Sequence, residues 1–394
     1  MRSCREIDMP PAANWSYPTA IRFGAGRVAE LGEACRAAGI ARPLFVTDPG
    51  LAPLPVTAQA LDALREAGLE AAVFSEVRPN PTDANVEAGI AALRAGDHDG
   101  VVAFGGGSAL DAGKVVAFMK GQTRPVWDFE DIGDWWTRAD ADAIVPIIAV
   151  PTTAGTGSEV GRAGVITNLA AHTKKVIFHP KMMPAQVILD PELTVGLPPH
   201  LTAGTGMDAL AHCLEAYCAP SCHPMAEGIA VEGMRLVQEN LLDAYRDGSD
   251  LEARANMLSA AAMGATAFQK GLGAIHALSH PVGALYDTHH GLTNAVFMPY
   301  VLDFNRETIW DKAERLAGWL GLDGGFQGLL DFVLRLRRDI GVPHTLDKLG
   351  VDDARFAEMA AMAVVDPTAG GNPRRLTEDD ALELYRRAYD GRLG

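Results

Sequence analysis

The chain is poor in the features that mark nucleic-acid-binding, membrane or disulfide-built secreted proteins. Its 34 Lys and Arg are outnumbered by 50 Asp and Glu, giving a formal net charge of −16. So acidic a chain repels phosphate backbones and anionic lipid, so neither nucleic acid nor a membrane is expected as a partner. No apolar run reaches the roughly 20 residues that cross a bilayer. The opening residues, MRSCREIDMPPAANW, hold no apolar stretch of the signal-peptide kind. There are five cysteines, Cys4, Cys35, Cys213, Cys218 and Cys222, an odd number with no CxxC pair. Reduced thiols and a cytoplasmic location are the expectation. The local group Cys213, Cys218, Cys222 and His223 fits no common zinc-ligand spacing. Internal repeats and low-complexity tracts are also missing.

What remains is a chain of 394 residues, 48% of them hydrophobic, ample for a large core and for more than one domain. The first half alternates strand-like and helix-like segments. Residues 42–48, 70–77, 99–108 and 143–153 read as strands; 57–69, 82–96 and 109–119 read as helices, the second capped by Thr82 or Asp83. Such alternation predicts a parallel sheet covered on both faces. Beyond Pro198 and Pro199 nearly everything reads as helix, including 204–217, 224–247, 251–270, 306–321 and 377–390. The expected fold is an α/β dinucleotide-binding domain over residues 1–195 followed by an all-α domain over residues 196–394.

Glycine-rich turns point to a nucleotide. In VVAFGGGSALDAGK (101–114) an apolar strand runs into Gly105, Gly106, Gly107 and Ser108, and a helix follows. Bare backbone and the positive end of a helix suit a pyrophosphate, and three consecutive glycines exceed what a turn needs. GAGRVA (24–29), with Asp48 downstream, also mimics a dinucleotide fingerprint, though Gly-x-Gly before a helix is ordinary turn chemistry. In PTTAGTGSE (151–159), Thr152, Thr153, Thr156 and Ser158 offer hydroxyls to a cofactor. Asp48 ends a strand, where a carboxylate accepts from ribose hydroxyls and repels a 2′-phosphate, favouring NAD over NADP; a plain loop aspartate is the alternative.

The stretch GAIHALSHPVGALYDTHHG (273–291) holds His276, His280, His289 and His290, four of the chain's eleven histidines, among small and apolar residues. His276 and His280 are four apart on a predicted helix that Pro281 is expected to end, which leaves His290 in a loop. Asp208 and His212 are likewise four apart in GMDALAHCLEAY. One carboxylate and three imidazoles drawn from these segments could close on one divalent ion, Fe(II) or Zn(II).

The motifs GGGSALDAGK, PTTAGTGSEV, LDPELT, GMDALAHCLEAY, HALSHPVGALYDTHHGLTNA and NPRRLTEDDALELYRRAY, in that order, resemble the iron-dependent (group III) alcohol dehydrogenases, a match that runs from about Asn14 to Tyr389. The resemblance implies an NAD-binding α/β domain, a helical domain with the metal in the cleft between them, and a homodimer or larger assembly. It puts metal ligands at Asp208, His212, His276 and His290, and a proton-transfer or nicotinamide-placing role at His280. It puts NAD contacts at Asp48, Asn80, Gly105 to Ser108, Thr152, Thr153, Thr156, Lys175 and Leu193, and demotes GAGRVA to a structural turn. Three departures stand out: His289 where many relatives have proline, Thr368 where some have cysteine, and Gln269 with Lys270 in AFQKGLG. Phe268, Lys270 and Thr368 are therefore expected at the substrate pocket, with Lys270 either an anchor for an anionic tail or a solvated or oligomer-facing lysine.

The implied reaction is hydride transfer between a small alcohol or aldehyde and the nicotinamide, with a hydroxy acid such as 4-hydroxybutyrate as an alternative substrate. A dehydroquinate synthase-like lyase would need several basic residues near 268–291, where only Lys270 is offered. A non-catalytic NAD or metal sensor is the third possibility.

Overall fold

The computed structural model describes residues 17–170 and 173–393, so Cys4 and Asn14, where the resemblance begins, lie outside the described residues. The chain divides into two compact units. One runs from Pro18 to Leu197 and takes in Ser249–Leu258; the other takes Pro198–Gly248 and the chain from Ser259 onward. The passage at Leu197 falls close to the boundary drawn from sequence, but the grouping of Ser249–Leu258 with the first unit had no sequence signal.

The first unit is built from β1 (Ala20–Phe23), α1 (Leu31–Ala37), β2 (Pro43–Val46), α2 (Pro55–Glu66), β3 (Ala72–Phe74), α3 (Asp83–Ala95), β4 (Gly100–Gly105), α4 (Gly107–Met119), β5 (Ile147–Pro151), β6 (Ala163–Asn168), β7 (Thr173–Phe178) and β8 (Gln186–Leu189). Six strands form one sheet in the order β1-β8-β5-β4-β2-β3, every pairing parallel. The central strands β2, β4 and β5 are buried throughout, whereas edge strand β1 is largely exposed. This is why the first three read as continuous apolar runs. Thr82 caps α3 with a reciprocal Thr82–Asn85 capping box. The antiparallel hairpin β6–β7 lies apart from this sheet and was not foreseen.

From β2 the chain moves outward to β3, and from β4 it moves the other way to β5, so the connections reverse between these neighbouring strands. The carboxyl ends of β2 and β4 flank the crevice where open α/β sheets take ligands.

The second unit consists of α5 (Pro199–Cys218), α6 (Pro224–Arg246), the half of α7 (Leu251–Ala267) from Ser259 onward, α8 (Ala274–Tyr286), α9 (His290–Trp319), α10 (Gly325–Asp339), α11 (Phe356–Val364) and α12 (Glu378–Asp390). Helix α5 is buried along nearly its whole length and packs on α6 and α9. Pro299 lies inside α9, where it cannot donate to the Ala295 carbonyl. The buried Arg337 takes over, donating from Nη1 to Ala295 O at 3.2 Å and Val296 O at 2.9 Å.

Two helix boundaries differ from expectation. Pro281 does not end α8; the helix continues to Tyr286 and stops at Asp287, whose φ of 52° is left-handed. His290 is not in a loop but opens α9. The cysteines also depart in part from the all-reduced reading. Cys35, Cys213 and Cys218 are free and buried, but Cys222 is disulfide-bonded. No helix among the described residues is long and apolar enough to cross a membrane.

Candidate metal centre and nucleotide loops

Three of the sequence-predicted nucleotide elements meet at the carboxyl ends of β2, β4 and β5. Gly105 has φ 146°, a conformation open to glycine, and Gly107 begins α4. A β-carbon on Gly105 would lie 2.8 Å from Ala109 Cβ and 3.6 Å from Asp48 Oδ2; one on Gly106, 3.4 Å from Thr153; one on Gly107, 2.6 Å from Thr156. Asp48 turns its own loop, Oδ1 accepting from Gly50 N and Leu51 N, both at 2.9 Å. Thr152 donates its backbone N–H to Gly105 O at 3.0 Å, tying the threonine loop to the glycine loop. Behind them, buried Lys114 donates from Nζ to Ser158 O at 2.9 Å and lies 3.4 Å from Asp111 Oδ1. Asp111 in turn accepts from Ser158 Oγ at 2.5 Å and Val165 N at 3.0 Å. The helix N-terminus after bare glycines can receive a phosphate group.

The other nucleotide candidates are engaged elsewhere. Asn80, at φ 51°, accepts from Lys174 Nζ at 2.8 Å. Lys175 pairs with Glu130 at 2.5 Å. Leu193 is buried in the core that also holds Val28, Leu31 and Phe104. The N–H groups of the GAGRVA turn are taken by Asp190, which accepts from Gly26 N at 3.1 Å and Val28 N at 2.9 Å. No anion-receiving N–H remains at these two positions, as expected of a structural turn.

In the helical unit, Asp208 and His212 project from one face of α5, His276 from α8 and His290 from the start of α9. The Nε2 atoms of His212 and His276 lie 3.9 Å from Asp208 Oδ1, and that of His290 lies 3.6 Å away. Asp208, His276 and His290 each offer an atom within 4.8 Å of the others. The His212 and His276 rings stack at 4.8 Å. Four acceptors brought to one buried place repel one another unless a cation or a donor stands among them. One donor does: Asn294 Nδ2 lies 2.8 Å from Asp208 Oδ1, 3.1 Å from His290 Nε2 and 3.3 Å from His276 Nε2. Its own Oδ1 is buried with no hydrogen-bond partner. An oxygen- and nitrogen-rich set of this kind fits a divalent transition metal.

Glu215 prepares His276 for such a role. Its Oε2 sits 2.5 Å from His276 Nδ1, and its Oε1 accepts from Ile275 N at 2.6 Å. A proton held on Nδ1 leaves Nε2 as a lone-pair donor. Burial opposes a charge on His276, but Glu215 and then Asp208 outweigh it and raise its pKa. His280 makes the parallel contact from Nδ1 to Asp366 Oδ2 at 2.8 Å, with its ring 5.4 Å from that of His290. Glu215, Asn294 and Asp366 were missed from sequence, although the first two fall inside quoted motifs. For those two the signal available was an acid or amide in an otherwise apolar, buried segment.

The remaining candidates come out differently. His289 caps α9, its Nδ1 accepting from Leu292 N at 3.4 Å, and burial lowers its pKa toward the neutral form that can accept. Phe268 lies edge-on to His212 at 5.2 Å. Lys270 is neither solvated nor facing a ligand. Its side chain is fully buried, with Nζ donating to Ala216 O at 3.0 Å, Tyr217 O at 3.2 Å and Ala219 O, and 3.3 Å from Glu227. It satisfies the carbonyls at the end of α5, and burial pushes its pKa down to about 8. The Thr368 hydroxyl is likewise taken, donating to Asp366 Oδ1 at 2.5 Å.

Residues 18–191 match the family described as iron-containing alcohol dehydrogenase, and residues 202–389 match the C-terminal region of the same family. Among curated relatives, the chain is 41% identical to a 4-hydroxybutyrate dehydrogenase of Cupriavidus necator and 38% identical to a 1,3-propanediol dehydrogenase of Klebsiella pneumoniae, covering 95% of this chain and 98% of each relative. Among solved structures it resembles a 1,3-propanediol oxidoreductase (TM-score 0.92, 36% identity, 96% of this chain and 100% of that one). It also resembles a sulfoacetaldehyde reductase from Bifidobacterium kashiwanohense in complex with NAD+ (TM-score 0.88, 29% identity, 96% and 99%). Matched along almost its whole length, the chain belongs to the iron-containing alcohol dehydrogenase family, whose members are NAD-binding oxidoreductases.

Proposed function

We propose that this chain interconverts a small primary alcohol and its aldehyde with NAD(H), using one divalent ion held by Asp208, His212, His276 and His290. The observation that carries the proposal is the convergence of three imidazole Nε2 atoms, at 3.6 to 3.9 Å, on one buried carboxylate oxygen. Three neutral nitrogens and one carboxylate accept either Fe(II) or Zn(II); membership of an iron-dependent family favours Fe(II). Bound there, the ion would supply Lewis acidity toward the substrate oxygen, and NAD would supply the hydride acceptor.

The chain's own part is holding, orienting and proton transfer. Glu215 keeps His276 with its proton on Nδ1. His280 exchanges a proton with the substrate side through Nε2. Its helix neighbours Ala277, Leu278 and Val282 are fully buried and seat α8 in the core. Gly105 to Ser108, with Thr152, Thr153 and Thr156, receive the cofactor's pyrophosphate, and Asp48 receives its ribose hydroxyls, favouring NAD over NADP.

Relatives named for 4-hydroxybutyrate and 1,3-propanediol suggest a short alcohol with a second polar end. Lys270 is not counted as an anchor for that end, because its donors are taken. A cytoplasmic location and a homodimeric or larger assembly belong to the same proposal and rest on the family resemblance.

The test is metal analysis of wild type and His276→Ala, paired with NADH formation from short alcohols, 1,3-diols and 4-hydroxybutyrate. Wild type should hold metal and reduce NAD, and the variant should lose both. Failure of the Fe(II)-loaded wild type to reduce NAD with any alcohol would sink the reaction. Full metal occupancy in the variant would sink the ligand assignment.

A further inference from the structure

A second histidine–carboxylate pair stands beside the proposed metal ligands. Asp366 Oδ2 accepts from His280 Nδ1 at 2.8 Å. Its Oδ1 accepts from the Thr368 backbone N–H at 2.9 Å and from the Thr368 hydroxyl at 2.5 Å. Oδ1 is thus held twice by Thr368, which turns Oδ2 toward the imidazole. Asp366 caps the short 3-10 turn Pro367–Gly371, which packs against α8, the helix that carries His280. The His280 ring lies 5.4 Å from the His290 ring and 5.9 Å from the His276 ring. With Nδ1–H directed at Asp366, Nε2 carries the lone pair, and it makes no hydrogen bond to any described residue.

We propose that Asp366, mounted on Thr368, is the positioning residue of His280: it holds the imidazole in the tautomer whose bare Nε2 is available to take a proton. The Thr368 hydroxyl, expected from sequence to face substrate, is by this assignment part of the mount. A carboxylate that fixes a histidine's tautomer without itself changing protonation state is a recurrent device for general bases. The inference rests on the reading of His280 as the proton carrier, and its test keeps the two apart.

Asp366→Asn separates positioning from simple capping. Asparagine caps a turn as well as aspartate does, accepting from Thr368 N through its carbonyl oxygen. Its amide then presents N–H to His280, which is satisfied only if Nδ1 becomes the bare nitrogen and the proton moves to Nε2. The measurement is nitrogen-15 NMR of histidine-labelled, Zn(II)-loaded protein, with the His280 signals assigned by loss in His280→Gln, alongside steady-state kinetics. Wild type should carry the His280 proton on Nδ1 and Asp366→Asn on Nε2. In that variant kcat should fall by about 100-fold or more, with KM and NAD affinity within about twofold. Thr368→Val, which removes only one bond of the mount, should lower kcat in the same direction by less. A wild-type proton on Nε2, or an unchanged tautomer in Asp366→Asn, would overturn the positioning role. An inverted tautomer with kcat intact would uphold that role and refute the proton-carrying role of His280.

Discussion

Substituting Gly291 by alanine should open the metal centre from behind. Helices α5 and α9 meet at two glycines. A β-carbon on Gly291 would lie 2.1 Å from Gly204 O, 2.7 Å from Gly204 C and 3.1 Å from Asp208 Cβ. The first distance is about 1 Å inside the closest contact unstrained atoms make, and the obstacle is backbone, which cannot swing aside. The helices must therefore part by a distance of that order just where Asp208 Oδ1 and His290 Nε2 stand 3.6 Å apart. Metal ligands tolerate displacements of only about 0.2 Å. Overpacking costs about 1–3 kcal/mol, offset in part by the roughly 0.5–1 kcal/mol that alanine gains over glycine within a helix. Gly291→Ala should lose about 1–2 kcal/mol of metal-free stability in urea unfolding and bind metal at least about 100-fold more weakly in chelator competition. Gly228, within α6, has nothing within 4 Å of its would-be β-carbon; Gly228→Ala should instead gain about 0.5–1 kcal/mol and bind metal as wild type does. Wild-type metal affinity in Gly291→Ala, or equal behaviour of the two variants, would refute the argument from close approach.

Other perturbations follow from single contacts. Glu215→Gln leaves one acceptor for two donors, Ile275 N–H and His276 Nδ1–H, and should weaken metal binding about 10- to 100-fold; unchanged affinity in chelator competition would remove Glu215 from the ligand-orienting role. Lys270→Met strips the donor from three carbonyls and should cost about 1–3 kcal/mol in urea unfolding, with activity on neutral and carboxylated alcohols affected alike. A loss confined to carboxylated alcohols in a fully stable variant would restore Lys270 as a substrate anchor. Burial pushes the Glu159 carboxyl up to about 7, against opposing contributions from its backbone hydrogen bond and Lys114. Because this folded pKa lies above the unfolded value, the stabilisation is fully present below about pH 4.5 and is lost as pH rises through about 7. The shift corresponds to as much as about 3 kcal/mol. Glu159→Gln should flatten the fall in stability between about pH 5 and pH 8, and an identical slope in both proteins would exclude Glu159 as its source.

The pairing of Asp208 with His212 was legible because i, i+4 spacing survives into three dimensions: the two share a face of α5 wherever that helix goes. The sheet was legible for a similar reason, since β2, β4 and β5 are buried on both faces and so cannot alternate. What failed were inferences about where a side chain ends. Lys270 lies six residues before His276, yet its ammonium runs back to carbonyls in the last turn of α5, and no local pattern announces that. Pro281 was read as a stop, but a proline costs a helix one hydrogen bond and some bending, and the packed α8 absorbs both before Asp287 ends it.

One acid was a signal left unread. A buried carboxylate in an apolar helix is costly unless a partner claims it, so Glu215 in α5 called for a cation or a histidine; Asp366, at the cap of a short turn beside the exposed Val365, carried no such signal. Each one in fact holds the Nδ1 of a different imidazole, Glu215 that of His276 and Asp366 that of His280, whereas the Nδ1 of His289 accepts from Leu292 N as a helix cap. His276 and His280, alike in spacing and in helix, are thus distinguished by the acid that stands behind each. His276 and His290 turn Nε2 toward Asp208, and His280, anchored to Asp366, keeps an uncommitted Nε2 beside them. If that division is right, exchanging the two acids' effects through Glu215→Gln and Asp366→Asn will separate cleanly: the first will lower metal affinity and leave the His280 tautomer alone, and the second will invert the tautomer and leave metal affinity alone. Loss of metal in Asp366→Asn, or inversion at His280 in Glu215→Gln, would show that the histidines act as one coupled cluster instead.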